Sequence, residues 1–269
     1  MYFYHGELAD FARKREWGGI GQRIKLDIIL ENLGDCDRLL DIGCGSGPIL
    51  HPISKRISKT FGIDESLDRL LDAKGNCSNS GLSIAKADKL PFLDKVFDVV
   101  LTSQMLHEVK LFGSPPDLIS TLFEIRRVLK PKGRYFLLDH LDPGEGEVEI
   151  KIAKVNIPLL EEFRDKFEYH PVHLKWLGSD TLLISRRDLQ DFVTKTWSLN
   201  SPMEKMEMTE SHTTFSEEEL RELIKETDLV WEDLITFHSI EIDLNSHHIT
   251  LLKENHWNRK FLLIASRPI

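Results

Sequence analysis

The segment from Leu39 to Leu50 constrains the fold of this chain more than any other. It starts with an apolar run typical of a buried strand, and Pro48 suits the first turn of a helix. Between them, Gly43, Gly45 and Gly47 allow positive φ and leave main-chain N–H groups open to a ligand. The following helix would point its unpaired N–H groups at the same place. The segment therefore predicts an α/β fold with a ligand-binding turn, although a tight turn without a ligand fits the same pattern.

The spacing of the glycines distinguishes between two classes of cofactor site. The pattern here is G-x-G-x-G, with Asp41 two residues before the first glycine. Dinucleotide-binding oxidoreductases use G-x-G-x-x-G instead. The spacing therefore disfavours a nicotinamide-dependent oxidoreductase, which stays open as an alternative.

An acidic residue ends the second predicted strand. This strand runs from Thr60 to Asp64, which lies about 20 residues beyond the glycines. Because ligands of open α/β sheets lie at the carboxyl ends of strands, Asp64 is positioned to accept hydrogen bonds from both hydroxyls of a ribose. The same aspartate also suits the cap of the next helix. The two roles are compatible.

Composition narrows the classes of partner. The chain has 269 residues and a formal charge of −9, with no long run of lysine or arginine, which argues against non-specific binding to nucleic acid. Cys36, Cys44 and Cys77 form no C-x-x-C pair, so we expect neither disulfides nor a thiolate metal site. No apolar run approaches the roughly 18 residues of a membrane span, and residues 1–15 contain no apolar leader segment. We therefore expect a cytoplasmic protein that acts on a small molecule or on another protein.

The two strand ends belong to a series of five motifs in the first half of the chain. They are Asp41-Ile42-Gly43-Cys44-Gly45-Ser46-Gly47, Gly62-Ile63-Asp64, Leu90-Pro91-Phe92, Phe97-Asp98-Val99-Val100 and Arg127-Val128-Leu129-Lys130-Pro131-Lys132-Gly133. In this order and spacing they resemble the class I S-adenosylmethionine-dependent methyltransferases, above all the small-molecule branch that includes the ubiquinone and menaquinone C-methyltransferases. The resemblance covers residues 38–140. It implies an α/β fold with a doubly wound, mostly parallel sheet of seven strands, the Rossmann-like methyltransferase fold.

The resemblance also implies where S-adenosylmethionine binds. The glycine turn would lie against its methionine part, Asp64 would hold the ribose, and Ala87 and Asp88 would contact the adenine. The family usually has an acid one residue before that alanine, whereas this chain has Lys86. Asp88 must then replace that acid, or the contact is lost. The cofactor-binding residues predicted in this way are Asp41, Gly43, Cys44, Gly45, Gly47, Asp64, Glu65, Ala87, Asp88 and Ser103.

Two histidines lie where the resemblance places the methyl acceptor. His107 follows the fourth strand beside Glu108, and His140 directly follows the fifth. Histidine titrates near neutral pH, and a neighbouring carboxylate raises its pKa. We therefore expect His107 or His140 to take a proton from the acceptor, with simple packing as the alternative for His107. A metal site built from these residues and Asp139 is disfavoured, because they show no fixed ligand spacing and the family's usual reaction needs no metal.

The chain divides into four predicted parts. They are an N-terminal helical flap with aromatic residues (1–36), the cofactor-binding core (37–140), an insertion (141–214), and the last helix with the closing strands (215–269). The insertion is too long for an ordinary connection, so it should have structure of its own. Helical spacing predicts that it is largely helical, with helices over 147–167 and 185–197.

The aromatic residues of the insertion suggest its role. They include Phe163, Phe167, Tyr169, Trp176, Phe192 and Trp197. Because ligand pockets are lined mainly by apolar and aromatic side chains, we expect the insertion to be a lid for a partly apolar or aromatic acceptor. A packing subdomain or a homodimer surface would use the same residues.

Together, these expectations predict a methyltransferase that transfers a methyl group in line from S-adenosylmethionine to a small molecule. Such a reaction depends mainly on holding two reactants together in a cleft closed to water, which is why few side chains are essential for it. A non-catalytic subunit that binds S-adenosylmethionine for a partner protein is the alternative, because a fold does not fix a function.

Overall fold

The computed structural model describes Trp17 and residues 20–269, which divide into two compact units. The first unit consists of the described residues up to Asp139, Glu217–Ile235 and Phe261–Ile269. The second unit consists of His140–Ser216 and Thr236–Lys260. Each unit is therefore assembled from segments that are far apart in the sequence.

The described residues contain eleven strands and ten α-helices. The strands are β1 (Arg38–Ile42), β2 (Lys59–Asp64), β3 (Gly81–Ile84), β4 (Phe97–Ser103), β5 (Leu129–His140), β6 (Glu147–Ile152), β7 (Lys175–Trp176), β8 (Thr181–Ser185), β9 (Val230–Ser239), β10 (Ile249–Leu251) and β11 (Asn258–Ser266). The helices are α1 (Ile20–Asn32), α2 (Leu50–Ser54), α3 (Leu67–Asn76), α4 (Leu106–Phe112), α5 (Pro115–Val128), α6 (Ile157–Lys166), α7 (Arg186–Lys195), α8 (Glu204–Met208), α9 (Glu217–Glu226) and α10 (Ile240–Ser246).

Seven of the described strands form the sheet of the first unit. Their order is β3-β2-β1-β4-β5-β11-β9, and the strands from β3 to β5 are paired in parallel. The strand β11 runs against β5, since Lys132 donates its N–H to the carbonyl of Arg267 and Leu141 donates to that of Arg259. This is the mostly parallel, doubly wound sheet that the motifs predict.

Local sequence explains where the flanking helices begin. Ser66 caps α3 by accepting the N–H of Arg69, and Ser114 with Asp117 forms a capping box at the start of α5. Helix α9 begins directly after Ser216. The starts of α5 and α9 fit the local sequence, because Pro115 suits a first helical turn and serine suits an N-cap.

The N-terminal flap lies mostly outside the described residues. These omit residues 1–16, 18 and 19, so the flap stays a prediction. What is described is α1, whose Ile29 is buried, and the side chain of Trp17.

The second unit has its own antiparallel sheet and core. Its strands have the order β10-β6-β8-β7. The core includes Phe163, Phe167 and Phe192, and Trp176 packs against it. Helix α7 begins after Ser185, which accepts the N–H of Asp188. The helix predicted over 185–197 is thus confirmed.

The helix predicted over 147–167 is wrong for its first part. Residues 147–152 form strand β6, and only Ile157–Lys166 is α-helical. The buried residues of this strand are Val148, Ile150 and Ile152. They alternate with period two, which is the period of a strand with one buried face.

The segment between the two closing strands, β9 and β11, is structured. Residues 236–260 belong to the second unit, where they supply α10 and β10. Ile249 pairs with Ile152 and Leu251 with Ile150. The second unit is therefore built from two insertions, of which the sequence indicates only the first.

A buried polar cluster lies within the second unit. Lys195 is fully buried and donates from Nζ to the carbonyl oxygen of Glu207 at 2.7 Å and to its Oε2 at 3.1 Å. Glu210 Oε1 lies 3.5 Å from the same Nζ. Asp191, one turn earlier on α7, accepts hydrogen bonds from the N–H of His212 and the hydroxyl of Ser211. Burial raises the pKa of Asp191 to about 6, although Lys195 opposes the shift.

Candidate active site

The glycine turn connects β1 to α2 with three residues in the left-handed region. Gly43, Gly45 and Gly47 have φ values of 72°, 55° and 88°, which side chains disfavour. A Cβ on Gly43 would lie 2.6 Å from Cγ of Met105, and one on Gly47 would lie 2.5 Å from Sγ of Cys77. These two positions therefore require glycine for space as well as for conformation.

Cys44 holds the turn in place from within. Its N–H and that of Gly43 both donate to the carbonyl of Ile63, at 3.0 and 2.8 Å. Burial, followed by the charges of Asp41 and Asp64, raises the pKa of its thiol. The thiol is thus protonated and packed, and this predicted cofactor contact stays a prediction.

Asp41 carries a buried carboxylate at the end of β1. Its side chain is 2% exposed, and Oδ1 has no hydrogen-bond partner among the described residues. Burial, and after it the negative charge of Asp64, raises the pKa of Asp41 to about 8. An acceptor atom that is buried and unsatisfied is costly, so this oxygen has the chemistry to accept a hydrogen bond from a ligand, and its role toward the cofactor stays a prediction.

Asp64 lies at the end of β2, where it was expected. Its Oδ2 accepts the N–H of Gly45 at 2.9 Å, and its Oδ1 accepts the N–H of Ser66 at 2.9 Å. The carboxylate therefore fixes the glycine turn and the start of α3. Each carboxylate oxygen has a second lone pair for a ligand hydroxyl.

The residues predicted to contact the adenine lie in a turn after β3. The N–H of Lys89 donates to the carbonyl of Lys86 at 3.2 Å, which places Ala87 and Asp88 at the centre of the turn. The side chains of Lys86 and Asp88 are exposed. Asp88 is therefore open to a ligand, and Lys86 stands where the family has its acid.

The remaining two predicted contacts lie at the ends of β2 and β4, the two strands that flank β1. Glu65 directly follows β2 and is half-buried, and burial raises its pKa against the opposing charge of Lys86. Ser103 is the last residue of β4 and is also half-buried. Their roles toward the cofactor stay predictions.

Trp17 contacts the glycine turn. Its indole Nε1 donates to Oγ of Ser46 at 2.7 Å, and its ring centroid lies 5.6 Å from that of His51. Only the aromatic character of the N-terminal segment hinted at this contact in the sequence.

His107 is buried in the first turn of α4 and paired with an acid. Its Nδ1 lies 2.7 Å from Oδ1 of Asp139, and its backbone N–H donates to Oδ2 at 3.1 Å. The predicted partner was Glu108, but adjacent residues of a helix do not face each other. Asp139 is the penultimate residue of β5, the neighbour of β4 in the sheet. The meeting of carboxyl ends of neighbouring strands was the signal that could have identified it.

His140 belongs to the second unit. Its ring stacks on that of His212, with centroids 4.1 Å apart and planes inclined by 6°. Both rings are buried. The structure therefore places the second predicted base in a packed histidine pair.

A doubly wound sheet with a glycine turn after β1 and an acid after β2 defines the α/β proteins that bind nucleoside cofactors at their strand ends. A family model described as a methyltransferase domain matches residues 40–137. YrhH of Bacillus subtilis, which carries a methyltransferase name, is 30% identical over 163 residues, or 58% of this chain and 83% of that protein. The chain therefore belongs to the class I S-adenosylmethionine-dependent methyltransferases.

Other relatives extend this result. The ubiquinone/menaquinone biosynthesis C-methyltransferase UbiE of Desulfotalea psychrophila is 34% identical over 131 residues, or 46% of this chain and 50% of that protein. The Burkholderia thailandensis 1,6-didemethyltoxoflavin-N1-methyltransferase, solved with 1,6-didemethyltoxoflavin and S-adenosylhomocysteine, aligns over 97% of this chain and 84% of its own with a TM-score of 0.55. At 14% identity it shows the fold alone.

Two further findings concern the length of the chain relative to its relatives and the length and polarity of its helices. The chain spans about half the length of several curated relatives, between 40% and 51%. Within Trp17 and residues 20–269, each helix is too short or too polar to cross a bilayer.

The residues of the turn fit S-adenosylmethionine. The methionine part of this cofactor carries an ammonium group, and Asp41 offers a buried oxygen that lacks a partner. Gly43 and Gly47 keep side chains out of the turn. The carboxylate oxygens of Asp41 and Asp64 are thus suited to a ligand that carries both a cation and a ribose, as this cofactor does.

Proposed function

We propose that this methyltransferase acts on a small, partly apolar or aromatic acceptor that loses a proton when it is methylated. The observation that carries the proposal is the burial of His107. Its side chain is 6% exposed and that of Asp139 is 0% exposed. A base so deeply buried suits a small acceptor better than the surface of a macromolecule. The net charge of −9 also favours this class over nucleic acid.

Two relatives support an aromatic acceptor. UbiE is named for ubiquinone and menaquinone biosynthesis, and the Burkholderia enzyme, a structural neighbour, is named for 1,6-didemethyltoxoflavin. Both names refer to ring compounds. For this chain they support the class of acceptor and no particular compound.

Separate residues of the first unit would bind the cofactor and take up the proton. Asp41 would hold the ammonium group of the cofactor, Asp64 its ribose, and Ala87 with Asp88 its adenine. When bound, S-adenosylmethionine supplies a methyl group on a positive sulfur, and its transfer to an acceptor X–H yields X–CH3, S-adenosylhomocysteine and one proton. We assign the uptake of that proton to His107, whose contribution as a general base would be about 10²- to 10⁴-fold.

His140 is a weaker candidate for the base. One face of its ring is covered by His212. The Nδ1 of His107 is instead oriented by a carboxylate, that of Asp139, at 2.7 Å. We therefore test His107 first and His140 second.

The second unit is our candidate for acceptor specificity. Three of the aromatic residues expected to contact the acceptor, Phe163, Phe167 and Phe192, are instead buried in the core of that unit. Tyr169 is 46% exposed. The proposal therefore rests on Tyr169 and the partly exposed Trp176, and not on the phenylalanines.

The experiment compares acceptor turnover in three proteins. They are wild type, His107→Ala and the control His256→Ala, which alters an exposed histidine away from Tyr169 and Trp176 in the sequence. Each is incubated with labelled S-adenosylmethionine and a panel of phenols and quinols. We expect His107→Ala to lower turnover about a hundred-fold or more with cofactor affinity unchanged, and the control to match wild type. A rate within about threefold of wild type assigns His107 to packing. Tight cofactor binding by wild type without any methylated product would instead support the non-catalytic subunit.

A further inference from the structure

The carboxylate of Asp139 makes two separate contacts with one residue. Oδ1 lies 2.7 Å from the ring Nδ1 of His107, and Oδ2 accepts the backbone N–H of the same residue at 3.1 Å. Asp139 is fully buried at the end of β5. Two contacts from a planar, buried group leave the imidazole little freedom to rotate.

The chemistry of these contacts determines which ring nitrogen carries the proton. An ionised carboxylate only accepts hydrogen bonds, so the Nδ1 that faces it must be a donor. In the neutral ring the other nitrogen, Nε2, is then unprotonated and carries the basic lone pair. This is the tautomer that a general base needs if the acceptor is to reach Nε2.

Tyr135 is another ionisable group of strand β5, to which Asp139 and His140 also belong. Its hydroxyl is 2.7 Å from Oγ1 of Thr102, and it is fully buried. Burial first, and the charge of Asp139 second, raise its pKa far above the ordinary value. Tyr135 therefore stays protonated and is excluded as the base.

We propose that Asp139 is the positioning residue of the reaction, holding His107 as the Nδ1–H tautomer so that Nε2 takes the proton of a neutral acceptor. This inference rests on the proposed function of His107 as base. It adds a substrate class, namely acceptors that bind in their protonated, neutral form, such as phenols and carbon acids. An acceptor that is already ionised has no proton to give and gains nothing from Asp139.

The replacement Asp139→Asn tests the proposal at nearly constant shape. The N–H of His107 needs an acceptor, so the amide oxygen should take the place of Oδ2. The amide NH2 then faces Nδ1 and donates to it, which forces the proton onto Nε2. The variant thus keeps the packing and reverses the tautomer, a change known to cost about 10⁴-fold in the serine-protease triad.

Two readouts are combined. Nitrogen-15 NMR of labelled histidines reports the tautomer of each ring without any acceptor, and the spectrum of His107→Ala identifies His107 among the 11 histidines. Turnover is measured with phenols of graded acidity. Asp98→Asn is the matched control. Like Asp139, Asp98 accepts a hydrogen bond from a backbone N–H, that of Arg38, and contacts a side-chain nitrogen, Nζ of Lys130.

We expect His107 to be Nδ1–H in wild type and in Asp98→Asn, and Nε2–H in Asp139→Asn. Turnover should fall about 10²- to 10⁴-fold in Asp139→Asn, and by less for the most acidic phenols. Wild-type His107 in the Nε2–H form overturns the proposal, even if Asp139→Asn fails to fold. So does a reversed tautomer with turnover within about threefold of wild type. If wild type methylates none of the acceptors, the proposed function fails, while the tautomer still decides the role of Asp139.

Discussion

The N–H of Gly45 donates to Oδ2 of Asp64 at 2.9 Å, so the acid that ends β2 holds the turn that follows β1. The second oxygen of the same carboxylate accepts the N–H of Ser66. Asp64 thus holds the glycine turn in shape through hydrogen bonds to the main chain. Its loss should affect both the shape of the turn and the binding of a ribose.

Replacing Asp64 by alanine should weaken the binding of S-adenosylmethionine and of S-adenosylhomocysteine alike. Loss of hydrogen bonds to a charged acceptor costs about 1.5–3 kcal/mol, or roughly ten- to a hundred-fold in affinity. Because two backbone N–H groups also lose their acceptor, the melting temperature should fall as well. Titration calorimetry and thermal unfolding measure the two effects.

Asp98→Ala is the control for that experiment. Asp98 accepts the backbone N–H groups of Asp37 and Arg38, so its loss costs stability in the same way. It precedes the strand β4 end by several residues, and we expect cofactor affinity to stay at the wild-type value. Unchanged affinity in Asp64→Ala would remove Asp64 from the cofactor site.

Replacing Asp41 by asparagine should stabilise the free protein at high pH and weaken cofactor binding. The pKa of Asp41 is raised from 3.8 to about 8 by burial and by Asp64. A group with a raised pKa contributes stability that is full below the unfolded value and is lost as pH rises through the folded one. The advantage of Asp41→Asn in melting temperature should therefore grow from about pH 4 and be largest above pH 8.

Cofactor affinity should show the opposite dependence in wild type. An ammonium group binds the ionised carboxylate, so affinity should rise with pH by up to about tenfold per unit between pH 6 and 7.5. Asp41→Asn should bind weakly and show little of this rise. Calorimetry in two buffers of different ionisation enthalpy reports the proton released by Asp41. A wild-type affinity that is flat over this range contradicts the assignment.

The replacement Gly47→Ala separates steric clash from backbone strain. Gly47 has a φ of 88° and no room for a Cβ beside Cys77, whereas Gly144 has a φ of 81° and nothing within 4 Å. Gly144→Ala should cost about 1–2 kcal/mol of unfolding free energy from strain alone. Gly47→Ala should cost about 2–5 kcal/mol and also lose cofactor affinity. Equal costs in urea unfolding would mean that the turn adapts to the extra methyl group.

Replacing Lys195 by methionine should destabilise the protein strongly. It leaves the carboxylates of Glu207 and Glu210 buried without their cation, a change that costs about 3–5 kcal/mol. Adding Glu207→Gln should restore part of the loss. Lys59→Met removes an exposed pair with Asp37 and should cost at most about 1 kcal/mol. Chemical unfolding followed by circular dichroism measures all three, and a similar small loss at both lysines would refute the role of the buried cluster.

The sequence was most informative where local pattern determines local structure. The glycine turn, strands β1 to β5 and helix α5 could be predicted, because their signals lie within a few residues of each other. Val148, Ile150 and Ile152 show period two, but the apolar residues that follow in α6 extended the pattern and favoured a helix. Strand β6 is stabilised by β10, whose residues are far away in the sequence. The pairing of His107 with Asp139 is non-local in the same way, since it depends on which strands become neighbours.

The pairing of β6 with β10 also sets an order of events during synthesis of the chain. Strand β6 leaves the ribosome about a hundred residues before β10, which at 5–20 residues per second is a wait of roughly 5–20 s. During that time Val148, Ile150 and Ile152 lack one neighbouring strand, and an unpaired strand edge is a site for wrong pairing. The growing chain thus reaches this stage with one sheet edge open, and that edge is where a chaperone would be needed.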